Sequence, residues 1–251
     1  MATSGIDNLV SRVPHKIRKP LEVHGEAELR QGIKRQSFVE FFEDFHGDVT
    51  ATLPAAWSYN GETANITGDY VSEANGVYEI LSDATSEAQA GRLSWGDTLM
   101  VNLSKNPIFE VRAKLNMAGA TLTADERMVI GLGSALANAE DALDSVTTHV
   151  WFRVEGADND VMVEGDDGTT DTDDQAGGTD LVDDTFTVFT IDCGDLSAVR
   201  FYLNGVSIGT VDISAVSANT LVQPIICYQR DAGAEVNSLK IDYVKVVQER
   251  T

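Results

Sequence analysis

Paired carboxylates are the first chemistry to look for in a chain with 40 Asp+Glu against 18 Lys+Arg. Two acids at alternate positions of one strand face the same way, so one can donate a proton while the other stabilises developing charge. The series Glu-x-Asp-x-x-Glu would open with such a pair, and no glutamate in the chain begins it. The nearest, Glu164-Gly-Asp166, ends in Thr169 and falls in an acidic stretch. Glu40, Glu43 and Asp44, near the first strand, read as edge charges. Clustered carboxylates also suit calcium, a hard cation that prefers oxygen ligands. If Asp171 opened an EF-hand-like loop, Asp173 and Gln175 would fit, but Ala176 stands where the turn glycine belongs and Val182 where the bidentate glutamate belongs. Asp171 and Asp173 are the first ligands to consider, and the spacing predicts no metal site and no cofactor.

Nucleophilic chemistry has less to work with. The four histidines, His15, His24, His46 and His149, are scattered, no serine lies in Gly-x-Ser-x-Gly, and Gly131-Leu-Gly133 lacks the third glycine of a phosphate-binding loop. His149, beside Trp151, reads as a packed or rim residue. Trp57, Trp95 and Trp151 could stack on sugars, but a large sandwich needs bulky inward side chains, and the core is the better place for them. Cys193 and Cys227 sit in apolar stretches and read as buried free thiols rather than a disulfide.

The elements that would position any of these residues are short and β-rich. Strands are predicted over 38–45, 76–81, 90–95, 97–103, 108–117, 127–133, 148–155, 160–164, 185–191, 198–203, 206–212, 222–229 and 238–247. Asn-Gly pairs at Asn60-Gly61, Asn75-Gly76 and Asn204-Gly205 suit the positive φ angles of two-residue hairpin turns, most clearly in the last case. Phe186 and Val188 fall on one face of their strand and Phe189 and Ile191 on the other, so this strand should be covered on both sides. Helical spacing occurs only at 136–143, which could equally be a loop. Residues 155–184 hold 12 acidic residues and no basic ones, and their centre, 164–180, reads as a solvated loop. The expectation is all-β: one antiparallel β-sandwich over 38–251 with almost no helix.

Seven basic residues precede it, Arg12, Lys16, Arg18, Lys19, Arg30, Lys34 and Arg35, against four acidic ones, so residues 1–36 carry +3 while the rest of the chain carries −25. Few large apolar residues and no sustained period make 1–37 an extended arm, or else a flexible solvated tail. A formal charge of −22 repels phosphate and anionic lipid, so nucleic acid and membrane are excluded as partners of the body. No signal-peptide run opens the chain and no membrane-span length of apolar residues follows, which points to synthesis in a cytosol.

The ordered series Phe41-Phe-Glu-Asp-Phe45, Asn75-Gly-Val-Tyr-Glu-Ile-Leu81, Arg92-Leu-Ser-Trp-Gly-Asp97, Pro107-Ile-Phe-Glu-Val-Arg112, Val199-Arg-Phe-Tyr-Leu-Asn-Gly-Val206, Gln223-Pro-Ile-Ile226 and Leu239-Lys-Ile-Asp-Tyr-Val244 resembles the concanavalin A-like (laminin G-like) jelly rolls of tailed-bacteriophage virion proteins. The resemblance implies a capsid decoration or cement protein on the head surface, assembled in the host cytoplasm, bound to the major capsid protein and often trimeric. A carbohydrate-binding, lectin-like module of a virion or cell surface is the alternative. An enzyme is not expected, because the Glu-x-Asp-x-x-Glu of laminarinase-like sandwich hydrolases is missing. Deleting 1–36 should leave the sandwich folded while weakening capsid attachment or breaking the oligomer. Co-sedimentation with capsids and light scattering check this, and unchanged binding and mass would reduce the segment to a tail.

Overall fold

A computed structural model of the chain describes residues 38–47, 51–62, 65–73, 76–119, 121–135 and 143–250. The arm with its seven basic residues, Asn75, and 136–142 of the stretch with helical spacing lie outside them. Glu40–Glu249 form one compact unit. Among the described residues there are sixteen strands and two one-turn helices, at Leu103–Lys105 and Leu143–Ser145, and no helix is long and apolar enough to cross a membrane. The chain is an antiparallel two-sheet β-sandwich.

With strands numbered in chain order, the first sheet runs β14 (Val206–Val211), β13 (Val199–Leu203), β12 (Thr187–Asp192), β7 (Ile108–Asn116), β16 (Ser238–Glu249), β4 (Val77–Leu81) and β3 (Thr67–Val71), with β1 (Phe38–Glu43) also paired to β16. The second runs β11 (Asp171–Asp180), β10 (Asp160–Asp166), β9 (His149–Glu155), β8 (Glu126–Gly133), β15 (Leu221–Arg230), β5 (Gln89–Ser94) and β2 (Ser58–Gly61), with β6 (Val101–Asn102) also paired to β15. Alternation sends Phe109, Val111, Ala113 and Leu115 of β7 and Val150, Phe152 and Val154 of β9 into one shared core. Phe152 crosses the gap between the sheets. Its ring meets Phe189 edge-on at 5.2 Å and Phe201 at 5.1 Å. The thiols of Cys193 and Cys227 are free and buried.

Several expectations change at this level. Asn204-Gly205 makes the tight turn between β13 and β14, with φ of 50° and 78°. Asn60-Gly61 does not turn the chain; it ends β2, opposite Arg92 and Gly91, because the chain then crosses to the other sheet. The strand expected over 97–103 shrinks to Val101–Asn102, since Gly96 and Asp97 both take positive φ. β12 is an inner strand between β13 and β7, but it is fully buried on one face only, and Val188 and Thr190 on the other are half-buried. Phe189 and Ile191 enter the core, while Phe186, just before the strand, lies on the other side with the Arg112 guanidinium 4.1 Å and the Lys114 ammonium 4.9 Å from its ring.

One end of the sandwich is closed by buried polar groups. Tyr228 donates its hydroxyl proton to Glu126 Oε1 at 2.6 Å, and the Thr123 amide donates to Glu126 Oε2 at 2.6 Å. Arg230, next along β15, donates to the carbonyls of Asp83, Thr85 and Glu235, holding two loops to one guanidinium. Phe152→Ala should cost about 3–5 kcal/mol, the range for emptying a large buried aromatic site. Urea unfolding should show it as a lower midpoint at unchanged slope, whereas a loss below 1 kcal/mol would mean that the two sheets do not depend on this contact.

Candidate functional site: a buried carboxyl cluster on the outer face of the second sheet

The second sheet is covered on its outer side as well. Val129, Trp151, Ile225 and Cys227 face away from the main core and form a smaller cluster closed over by Leu143 and Val146. Gly131 lies opposite Trp151 in the β8–β9 ladder, and a Cβ there would come within 2.3 Å of the Val150 carbonyl oxygen and 2.4 Å of Trp151 Cβ. The glycines of Gly131-Leu-Gly133 are therefore packing residues of a strand. The His149 imidazole stacks on the Trp151 indole at 3.7 Å and 11°, and its Nδ1–H donates to the Val146 carbonyl at 2.8 Å.

Polar groups continue this covered row towards the sheet edge. Trp151 Nε1–H donates to Glu164 Oε2 at 2.6 Å, and Arg153 Nη1 donates to Glu164 Oε1 at 3.3 Å. Arg153 Nε donates to Glu155 Oε2 at 2.7 Å, so one guanidinium serves two carboxyl groups. Glu164 is only 1% exposed. Beyond it the ladder slips: Val163 pairs Gln175 but Gly165 pairs Thr172, so Asp173 and Asp174 both face Glu164 in a β-bulge. Asp174 takes the left-handed conformation (φ 48°), and its side chain is exposed.

Burial is the largest influence on the Glu164 carboxyl and raises it from the ordinary range to about 7. Arg153 and the Trp151 indole pull it down, and Asp174 pushes it up again. Asp166 shares the outer face of β10, half-buried, opposite Asp171 of β11 and His149 of β9. The outer face thus holds one buried carboxyl whose proton affinity burial raises, with half-buried and exposed carboxylates and a guanidinium beside it.

The sequence placed these residues differently. Residues 164–180 were expected as a solvated loop; in fact β10 extends to Asp166 and the ten-residue β11 begins at Asp171, leaving only 167–170 as the turn. Acidic composition hid the strand, because β11 is an exposed edge and needs no apolar alternation. Asp171 and Asp173 lie on that strand, and among the described residues no group of three or more His, Cys, Asp or Glu side chains is arranged to hold a metal. Trp57 and Trp95 join the main core, while Trp151 is fully buried on the opposite face of its sheet. Glu40 pairs with Lys245 at 3.3 Å, and Glu43 accepts the Phe45 amide at 3.1 Å. Sequence reasoning met Glu164 only as the start of Glu164-Gly-Asp166 and set it aside with the acidic stretch; the Val161-x-Val163 alternation running into it was the signal that it lies on a strand.

No protein-family model matches the chain, and no curated protein matches it significantly. Solved structures do share its fold. They include a protein of unknown function, SO2946 from Shewanella oneidensis MR-1 (TM-score 0.59, 15% identity, 88% of this chain and 94% of that one). The carbohydrate recognition domain of Emp47p aligns at a TM-score of 0.58 and 10% identity over 86% and 98%. An endo-1,3-beta-glucanase from Streptomyces sioyaensis aligns at 0.57 and 14% over 86% and 98%. The fold is thereby defined: this is an antiparallel two-sheet β-sandwich of jelly-roll type, a fold it shares with these proteins. The expectation that the chain is not an enzyme is corrected by the same comparison, because endo-glucanases stand among its structural neighbours. A missing linear motif therefore does not exclude catalysis on this fold.

Replacing Arg153 with Met should push the Glu164 carboxyl above about 7, since the cation that opposes burial is lost. It should also cost about 1–3 kcal/mol for the charged hydrogen bonds removed. Carboxyl NMR titration and urea unfolding check both, and an unmoved Glu164 titration would show that Arg153 does not act on it.

Proposed function

We propose that this protein is a carbohydrate-binding, lectin-like module of a virion or cell surface, with the β9–β11 edge of the second sheet's outer face as its binding surface. The observation that carries the reading is the arrangement around Glu164. Half-buried or exposed carboxylates, Glu155, Asp166, Asp171 and Asp174, stand on three adjacent strands beside the buried Trp151–Glu164–Arg153 contacts. Carboxylates accept from neighbouring sugar hydroxyls, and rigid strands hold the pattern without further ordering cost. Sandwiches of the same fold include a carbohydrate recognition domain and glucanases, which supports the choice of ligand class. None of the neighbours named above is described as a virion protein, so capsid decoration gives way to this reading.

One observation favours a second reading, glycan cleavage. Glu164 and Asp166 project from one face of one strand, and a carboxyl that titrates at about 7 suits a general acid near neutral pH. Thr169, in the turn, supplies no third carboxyl.

The test is a glycan array with the full chain, followed by product analysis on whichever glycan binds. Saturable binding is expected, and Asp166→Ala and Asp174→Ala should each weaken it by about ten- to a hundredfold, the worth of a charged hydrogen bond. Release of new reducing ends, abolished by Glu164→Gln, would favour cleavage. Absence of binding to any glycan would overturn both readings.

A further inference from the structure

A strand at a sheet edge presents unpaired backbone N–H and C=O groups, and sheets protect such edges with charge, bulges, brevity or cover. Most edges of this sandwich are protected in one of these ways. β11 carries Asp171, Asp173, Asp174 and Asp180 and pairs through two register slips. β2, β3 and β6 run for five residues or fewer, and in β14 a Cβ on Gly209 would come within 2.8 Å of Val163, so that edge closes against β10. β1 has none of these devices. Four of the six residues in Phe38-Val-Glu-Phe-Phe-Glu43 are apolar, the strand pairs β16 along one side, and among the described residues no strand pairs its other side. Phe41 turns inward, its ring 4.8 Å from that of Trp95, while Phe42 is 55% exposed on the outer face with its ring 5.9 Å from Tyr243.

We propose that the free edge of β1 is the interface between two copies of this chain, paired antiparallel across a two-fold axis at Glu40 so that their first sheets become one. The inference does not rest on the carbohydrate reading, whose surface lies on the second sheet. A second copy is the occupant because the strand matches itself. Centred on Glu40, the pairing sets Phe38 against the partner's Phe42 on the outer face and Val39 against the partner's Phe41 on the inner face, so each apolar side chain meets another. Centring one residue later would put Glu40 against Phe42 and Val39 against Glu43. The two Glu40 carboxylates that meet at the axis are each held by Lys245 of their own chain at 3.3 Å, which neutralises them in place. Two bodies of a chain with a formal charge of −22 repel each other over most of their surfaces, and this neutralised apolar strip is where they can approach.

Sedimentation equilibrium of the full chain tests it. Over a dilution series reaching about 100 μM, the mass should rise reversibly from 27.1 kDa to twice that value. Phe42→Asp changes an exposed side chain outside the core, so circular dichroism should be unchanged while the dimer weakens by about tenfold or more, because the lost aromatic pair occurs twice. Glu40→Cys sets two thiols across the axis and should give a disulfide-linked dimer on oxidation, whereas Val206→Cys, at the exposed start of β14, should not. The native thiols of Cys193 and Cys227 are buried and stay silent. A chain that remains monomeric at the highest concentration would overturn the proposal and leave the edge to a different protein. A dimer insensitive to Phe42→Asp, or one that Glu40→Cys fails to cross-link, would overturn it by placing the contact between copies elsewhere.

Discussion

Strands β8, β9 and β15 meet the main core on one face and a second cover on the other, so their backbones and side chains have no ready access to water. Under that constraint every polar side chain in the covered row must find a partner inside the protein, because leaving a donor or a charge buried without one costs more than the contact itself provides. The row beginning at Gly131 shows the result. A glycine makes room for Trp151, the indole hydrogen bonds to Glu164, and Arg153 on the same strand face neutralises what the indole cannot. The raised Glu164 carboxyl is the residue of that accounting: one cation stands against Glu155, Glu164 and the bulged Asp174, and the least solvated carboxyl keeps its proton longest.

The first sheet solves a different problem. Its outer face is partly wet, and its charges are arranged as ladders of ion pairs: Lys114 with Asp184 at 2.7 Å, Lys240 with Glu73 and Glu79, Arg112 with Asp242. Water screens such pairs, so each contributes little to stability, and none needs the tight hydrogen-bond geometry found around Glu164. The same residue types therefore do different work on the two faces. On the first sheet they form ion pairs in reach of water; on the second, shielding from water makes them chemically distinct. At the end of the sandwich, Glu126 and Arg230 are as buried as Glu164, but fixed hydroxyl, amide and carbonyl partners surround each of them.

The functional reading follows from this contrast. A linear search for three carboxylates along one strand finds only the first two, Glu164 and Asp166, and by itself it led to the exclusion of enzymes that the comparisons with endo-glucanases correct. Composition led to a similar error, since twelve acids without a base suggested a solvated loop where an edge strand runs. Both errors arise because motif and composition describe a chain, whereas the environment of a carboxyl is set by residues from neighbouring strands.

What the sequence determined by itself was the architecture. Alternation in stretches such as Phe109 to Leu115 and Val150 to Val154, the Asn204-Gly205 turn and the near absence of helical period specify an all-β sandwich, because side-chain periodicity and turn chemistry are local properties. It also marked Trp57 and Trp95 as core. The tertiary structure alone decided that Asn60-Gly61 ends a strand that crosses between sheets, that Trp151 is buried on the opposite face from the other two tryptophans, and that Glu164 faces Asp174 across a register slip. These depend on which strands become neighbours and on what covers them. Burial, and with it the proton affinity of Glu164, is a property of that assembled neighbourhood.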